Sequence, residues 1–120
     1  MKYLCLVYGD EQLMQTVDDH CLAFDQSIRA SGHCIASEAL QPVATATTVR
    51  VRNGKVSVTD GPFAETKEYL AGFYLVEARD LNEAIQLASK IPPAKFGSIE
   101  VRPTRELQVS TQQAAAAAAP

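Results

Sequence analysis

The sequence predicts an α+β domain built from an antiparallel sheet, two helices and an inserted β-hairpin, and three observations carry that expectation. The 120 residues are 47% hydrophobic, which supports one core without metal or disulfide help. The apolar pattern changes period along the chain in the order β-α-β, hairpin, β-α-β. Two of the strand-like runs, at 3–8 and 73–76, are apolar on both faces and so expect cover on both.

Each element has its own signal. Tyr3 to Tyr8 is apolar at every position, as in a strand buried on both sides. Leu13, Met14, Val17, Cys21, Phe24 and Ile28 then form one stripe at helical period, with Asp10 placed to cap the start and Gly32 the end. Cys34 to Leu40 reads as a strand that stops before Pro42. In TVRVRNGKVSVTD, Asn53-Gly54 lies between two alternating runs, and both turn residues must take positive φ. Two-residue pairing sets Val51 opposite Val56 and Val49 opposite Val58, with Arg50 opposite Ser57 and Arg52 opposite Lys55. One hairpin face is therefore apolar and the other polar and basic.

Gly72 to Ala78 is the next strand, with Phe73 and Leu75 on one side and Tyr74 and Val76 on the other. Asp80 caps a second helix in a capping-box arrangement with Glu83, and Leu81, Ala84, Ile85, Ala88 and Ile91 line its expected buried side. Pro92-Pro93 stops that helix. Ser98 to Arg102 is a last short strand before Pro103. This order fits a ferredoxin-like split βαβ sheet with both helices on one face. Two helices leave the other face bare, and soluble monomers rarely expose so much apolar surface. The expectation is a homodimer packed through its sheet faces. The domain is expected to span 1–107, and the low-complexity tail 108–120, ending TQQAAAAAAP, carries no functional signal.

Composition excludes several functions. A net charge of −3 with scattered basic residues argues against nucleic acid. Cys5, Cys21 and Cys34 form no CxxC pair and an odd count, which suits a reducing cytoplasm. MKYLCLVYGD has too short an apolar run for a signal h-region or a membrane span. Neither His20-Cys21 nor His33-Cys34 can readily share a metal ion, so no metal is expected. No GxxxxGK[ST] or GxGxxG loop is present, so no nucleotide cofactor is expected either.

The densest polar stretch is DGPFAETKE, residues 60–68. Asp60-Gly61-Pro62 is ordinary turn chemistry, yet a carboxylate on a rigid turn is also how a general base is presented. Phe63, Glu65 and Lys67 follow closely, and Arg50 and Arg52 stand on the hairpin before it. These are candidates to position a small anionic ligand, since cations beside carboxylates suit an anion. His20 sits at the edge of the first helix's stripe, where it either reaches a cleft or bonds a backbone carbonyl as a boundary residue. His33 follows Gly32, where it either serves chemistry or reaches back to the last helical carbonyls.

DGPFAETKE, the following GFYLVEARDLNEA and the late EVRP together resemble the DGPF group of the YCII-related proteins, as does ATTVRVRNGKVSVTDGPF leading into the motif. The likeness covers residues 1 to 107. It implies a ferredoxin-like fold that pairs into a dimeric α/β barrel. It also implies a histidine–aspartate acid–base pair, in a family where some relatives act on small enol-lactone or halogenated ring-cleavage products. Carried over, the aspartate falls on Asp60. The histidine falls on His20, twelve residues before Gly32, with His33 as the second candidate. The expected function is cofactor-independent isomerase- or lyase-type chemistry on a small organic acid or lactone. The alternative is a non-catalytic dimer that binds a small ligand or a protein.

Overall fold

The computed structural model describes residues 1–109. From residue 110 onward the alanine-rich tail lies outside the described residues. Six strands and three helices run in the order β1 (Lys2–Gly9), α1 (Glu11–Gln15), α2 (Asp18–Ala30), β2 (Cys34–Ala39), β3 (Thr47–Arg52), β4 (Lys55–Asp60), β5 (Tyr69–Glu77), α3 (Leu81–Ser89) and β6 (Ser98–Pro103). Short 3₁₀ turns at Val43–Thr45 and Pro92–Lys95 complete the chain.

β2, β5, β1 and β6 form one sheet in that order, every neighbouring pair antiparallel. Each βαβ unit thus has a strand of the other slotted between its own two, the split arrangement the sequence suggests. β3 and β4 form a separate two-stranded sheet. Gly72 explains how closely β2 and β5 can pair: a Cβ there would stand 2.7 Å from the Glu38 carbonyl oxygen. No side chain fits.

The core lies on one face. Tyr3, Cys5 and Val7 of β1 and Val76 of β5 meet Ile28 of α2, Ala84 and Ala88 of α3, and Ile91. The opposite face carries Leu4, Leu6 and Tyr8, which pair in register with Leu75, Phe73 and Leu70. Among the described residues no helix lies there, because Met14, Phe24, Ile28, Ala84 and Ala88 place all three against the first face. The helix-free apolar face expected from the two-sided strands is present, with Leu70 exposed and Leu4, Leu6, Tyr8, Phe73 and Leu75 half-buried.

The hairpin register is the expected one, from Arg52–Lys55 through Val49–Val58 and on to Thr47–Asp60. Asn53 and Gly54 take the positive φ that the turn demands, 53° and 73°. Its valine face packs on nothing in this chain: Val49, Val51, Val56 and Val58 are 56–68% exposed.

Three expectations need correction. The first helix is two helices, because the chain breaks at Thr16 and Val17. The Thr16 hydroxyl donates to the Leu13 carbonyl, and Val17 leaves helical geometry with φ −118° and ψ 15°. Asp18 and Asp19 then favour a fresh N-terminus. Its stripe is consequently uneven, with Leu13 exposed and Ile28 buried. On α3, Leu81 and Ile85 are exposed, and the buried stripe is the narrower Ala84 and Ala88, whose small side chains let the helix lie close to the sheet. Ile91 is buried but belongs to the turn after the helix, not to the helix itself. Finally, β5 begins at Tyr69 rather than Gly72. A register shift between Val7 and Tyr8 lets Tyr69 and Leu70 pair with Gly9 and Tyr8.

Candidate functional site

A cleft of about 640 Å³ opens between α1–α2 and the β2–β5 edge of the sheet, a size suited to a small organic molecule. Val7, Met14, Gly72, Ile91 and Pro93 give it an apolar interior. Its polar groups converge from three elements. On α2, Arg29 Nε bonds Asp25 Oδ2 at 3.1 Å, one helical turn apart. On β2, Ser37 Oγ donates to Asp25 Oδ1 at 2.8 Å and accepts from Arg29 Nη2 at 2.8 Å. The carboxylate is therefore oriented through both oxygens, each with a lone pair still to offer.

Tyr74 of β5 completes the group. Its ring meets Phe24 of α2 edge to face, with centroids 5.2 Å apart at 88°. Burial pushes its phenol up to about 12, and neighbouring Cys21 and Asp25 push the same way. At neutral pH this phenol keeps its proton and can donate it in a hydrogen bond. Burial, then Asp18, also raises the Cys21 thiol, so it is held as a thiol rather than a nucleophilic thiolate. Glu11 of α1 accepts a hydrogen bond from the Val43 N–H, tying the helix to the turn at the root of the hairpin. The charged lining is Glu11, Asp18, Asp25 and Glu38 against Arg29 alone, an acidic balance.

None of the candidate catalytic or ligand-binding residues, Asp60, His20, His33, Arg50, Arg52, Phe63, Glu65 and Lys67, lines this cleft. Asp60 ends β4 with an exposed side chain. The turn there is held by Gly61 instead: its N–H donates to the Ala46 carbonyl at 2.7 Å, and its carbonyl accepts from the Thr48 hydroxyl at 2.9 Å. Among the described residues no group hydrogen-bonds the Asp60 carboxylate, and no histidine forms an ion pair with it. His20 is exposed on α2. His33 Nδ1 lies 2.9 Å from Ser31 Oγ, and its Nε2 lies 3.6 Å from Glu83 Oε1. The same Ser31 hydroxyl lies 2.9 Å from the Ile28 carbonyl oxygen. That places His33 between the end of α2 and the start of α3, in contact with two side chains and bonded to no helical carbonyl.

Arg50 and Phe63 do come together, the guanidinium 5.3 Å from the ring centroid. Arg52 Nη1 bonds the Val51 carbonyl, while Glu65 and Lys67 are exposed on the connection to β5. Asp25, Arg29, Ser37 and Tyr74 are not among the residues the sequence marks for a functional role. Their only sequence signal is the Asp25–Arg29 pair at i, i+4 on a helix face, since Ser37 and Tyr74 read as ordinary strand positions.

This is a small mixed α/β domain with antiparallel sheets and an organised cleft beneath its first two helices. The chain belongs to the YCII-related domain family, which it matches over residues 1–108. It is 37% identical over 113 residues to an uncharacterised protein of Rhizobium meliloti (strain 1021), covering 86% of this chain and 91% of that protein. Among solved structures it is similar to 5-chloro-2-hydroxyhydroquinone dehydrochlorinase from Burkholderia phenoliruptrix AC1100, in complex with 2,5-dihydroxybenzoquinone. That likeness has a TM-score of 0.54 at 13% identity, covers 94% of this chain and 99% of that one, and speaks to fold. No helix among the described residues is long and apolar enough to cross a membrane.

Proposed function

We propose that the protein is a cofactor-independent acid–base enzyme acting on a small ring-shaped molecule in the α1–α2 cleft, and that it works as a homodimer closed over its bare sheet faces. The observation that carries the reading is the Asp25–Arg29–Ser37 network sharing the cleft with a protonated Tyr74. Asp25 is the base. Arg29 and Ser37 fix its two oxygens, so the carboxylate is held in one orientation toward the cleft. Tyr74 donates a hydrogen bond to a substrate carbonyl, stabilising the enolate formed when Asp25 takes the proton from the adjacent carbon. From that enolate, reprotonation elsewhere gives isomerisation, and loss of a β-substituent gives elimination. The dehydrochlorinase with a similar fold is named for an elimination.

Of an organic acid and a lactone, the cleft favours the uncharged lactone. Four carboxylates line it against a single guanidinium that Asp25 already engages. The test is deuterium incorporation from D₂O into a panel of small enolisable lactones, followed by NMR. Wild type is expected to exchange the proton next to the carbonyl. Asp25→Asn abolishes the exchange, and Asp60→Asn leaves it unchanged. Exchange that survives in Asp25→Asn and disappears in Asp60→Asn sinks the cleft assignment and returns the chemistry to the DGPF turn.

A further inference from the structure

We propose that the substrate of the acid–base reaction read above, on which this inference rests, is a lactone carrying a linear apolar chain. Leu22, Ala39 and Leu40 select for that chain.

The cleft is far larger than the chemistry at Asp25 needs. Water claims about 30 Å³ per molecule in the liquid, so the six or seven heavy atoms of a bare lactone ring claim at most about 200 Å³. The cleft holds about 640 Å³, in the range that buries most of a drug-sized ligand. A ring alone leaves most of it empty.

Sheet register gives the extra space a direction. Ser37 pairs with Tyr74, and both stand with Asp25 at one level of the cleft. Two residues further along β2 the next pair on that face is Ala39 with Gly72, and Gly72 pairs on its other side with Val7. Beyond the reacting groups the floor is therefore one methyl and a glycine, and Ala39 is exposed there. The walls continue the same way. Residues 31–33 turn α2 straight back into β2, so earlier residues of the helix lie over later ones of the strand. Leu22 stands one helical turn before Asp25 on the cleft side of α2, which sets it over Ala39. Opposite it, Leu40 is fixed by its N–H on the Ala71 carbonyl at 2.8 Å.

These two leucines are open to water, Leu22 at 61% and Leu40 at 48% exposure, although both line the cleft. Together with Val7 and Met14 they make an apolar trough that leads away from Asp25 and Tyr74. An apolar chain laid along it takes the leucines out of water while the ring stays on the reacting groups. Charge decides how the chain ends. Glu11 and Asp18 border the trough, and the guanidinium of Arg29 is engaged at the Asp25 end. A chain ending in a carboxylate meets like charge, so the chain is alkyl rather than an acidic arm.

The test is proton exchange, followed by NMR in D₂O, for five-membered lactones bearing hydrogen, methyl, butyl or hexyl beside the ring oxygen. On wild type, kcat/KM is expected to rise about two- to fourfold per methylene, and at least about tenfold from the bare ring to butyl. A butyl chain ending in a carboxylate is expected to bring no gain. Ala39→Leu, at an exposed position on the edge strand, blocks the trough and abolishes the preference for butyl over the bare ring. Leu22→Ala lowers that preference severalfold. Leu81→Ala, an exposed leucine on α3 outside the cleft, leaves it as it is. Exchange of the bare ring that does not quicken with chain length overturns the trough and leaves the acid–base reading standing. So does a carboxylate chain that gains as much as butyl, or a preference indifferent to Ala39→Leu. No exchange by wild type with any of these lactones overturns both.

Discussion

The two regions richest in reactive side chains are built in opposite ways. DGPFAETKE crowds its polar groups along nine consecutive positions, yet the folded chain fans them outward. The cleft takes Asp25, Ser37 and Tyr74 from three separate elements and brings them onto one another. Density in sequence is a local property, set by what a turn needs. Convergence depends on which strand faces which helix. Gly61, not Asp60, fastens the turn after β4.

The sharpest way to break this comparison is to remove one carboxylate from each region. Asp25→Asn is expected to lower kcat/KM by roughly 10²–10⁴, the usual worth of a positioned general base. Asp60→Asn should change it less than about twofold. Both are checked by the lactone proton-exchange rate, with circular dichroism confirming that each variant folds. Comparable losses in the two variants would mean that the regions work together, and would favour a site assembled across copies.

A second contrast lies between core and hairpin. Ile91 is 2% exposed in the cluster beneath α2 and α3, so Ile91→Ala is expected to cost about 2–5 kcal/mol of unfolding free energy by urea titration. Val58→Ala, at 64% exposure, should cost far less in the isolated chain. If chemical denaturation at high protein concentration gives both a similar cost, the hairpin valines are buried in the assembled protein. The same pair of variants therefore reports on the hairpin as well as on the core.

These contrasts show what was legible in the sequence. Local periodicity and turn chemistry revealed the hairpin to the residue, because Asn53-Gly54 admits few alternatives. They also revealed the bare sheet face, because β1 and β5 are apolar on both sides. The break at Thr16-Val17 stayed hidden, since Leu13 to Ile28 keeps an unbroken apolar period and only the Thr16 hydroxyl bond cuts the helix in two. The exposure of Leu81 and Ile85 stayed hidden for a related reason: a hydrophobic stripe says which side faces inward, not how wide the contact is. The cleft was the least legible. Ser37 and Tyr74 are unremarkable strand residues until the order β2-β5-β1-β6 sets β2 beside β5.

pH separates the two regions more gently. Tyr74 titrates near 12 in the fold and near 10 in a free chain. The unfolded state therefore releases this proton first as pH rises. The stabilisation is complete below about pH 10 and fades as pH climbs toward 12. Cys5, which burial pushes up to about 11, adds a loss of the same sign that begins nearer 9. Tyr74→Phe is expected to flatten the fall of thermal midpoint between pH 10 and 12, leaving the Cys5 portion below it. An unchanged slope would mean that the phenol is well solvated and is no longer the neutral donor assigned to it.

The smallest expected effect belongs to the DGPF segment itself. Arg50 stands 5.3 Å above Phe63, whose ring is 76% exposed, and exposed pairs of this kind contribute about 0.5–1 kcal/mol. Phe63→Leu keeps the apolar bulk and removes the aromatic face that holds the guanidinium. It should lower stability by no more than that and leave proton exchange intact. A double-mutant cycle with Arg50→Met, read by urea titration, isolates the pair from the rest of the connection. A coupling well above 1 kcal/mol would place the pair in a drier setting than one copy provides.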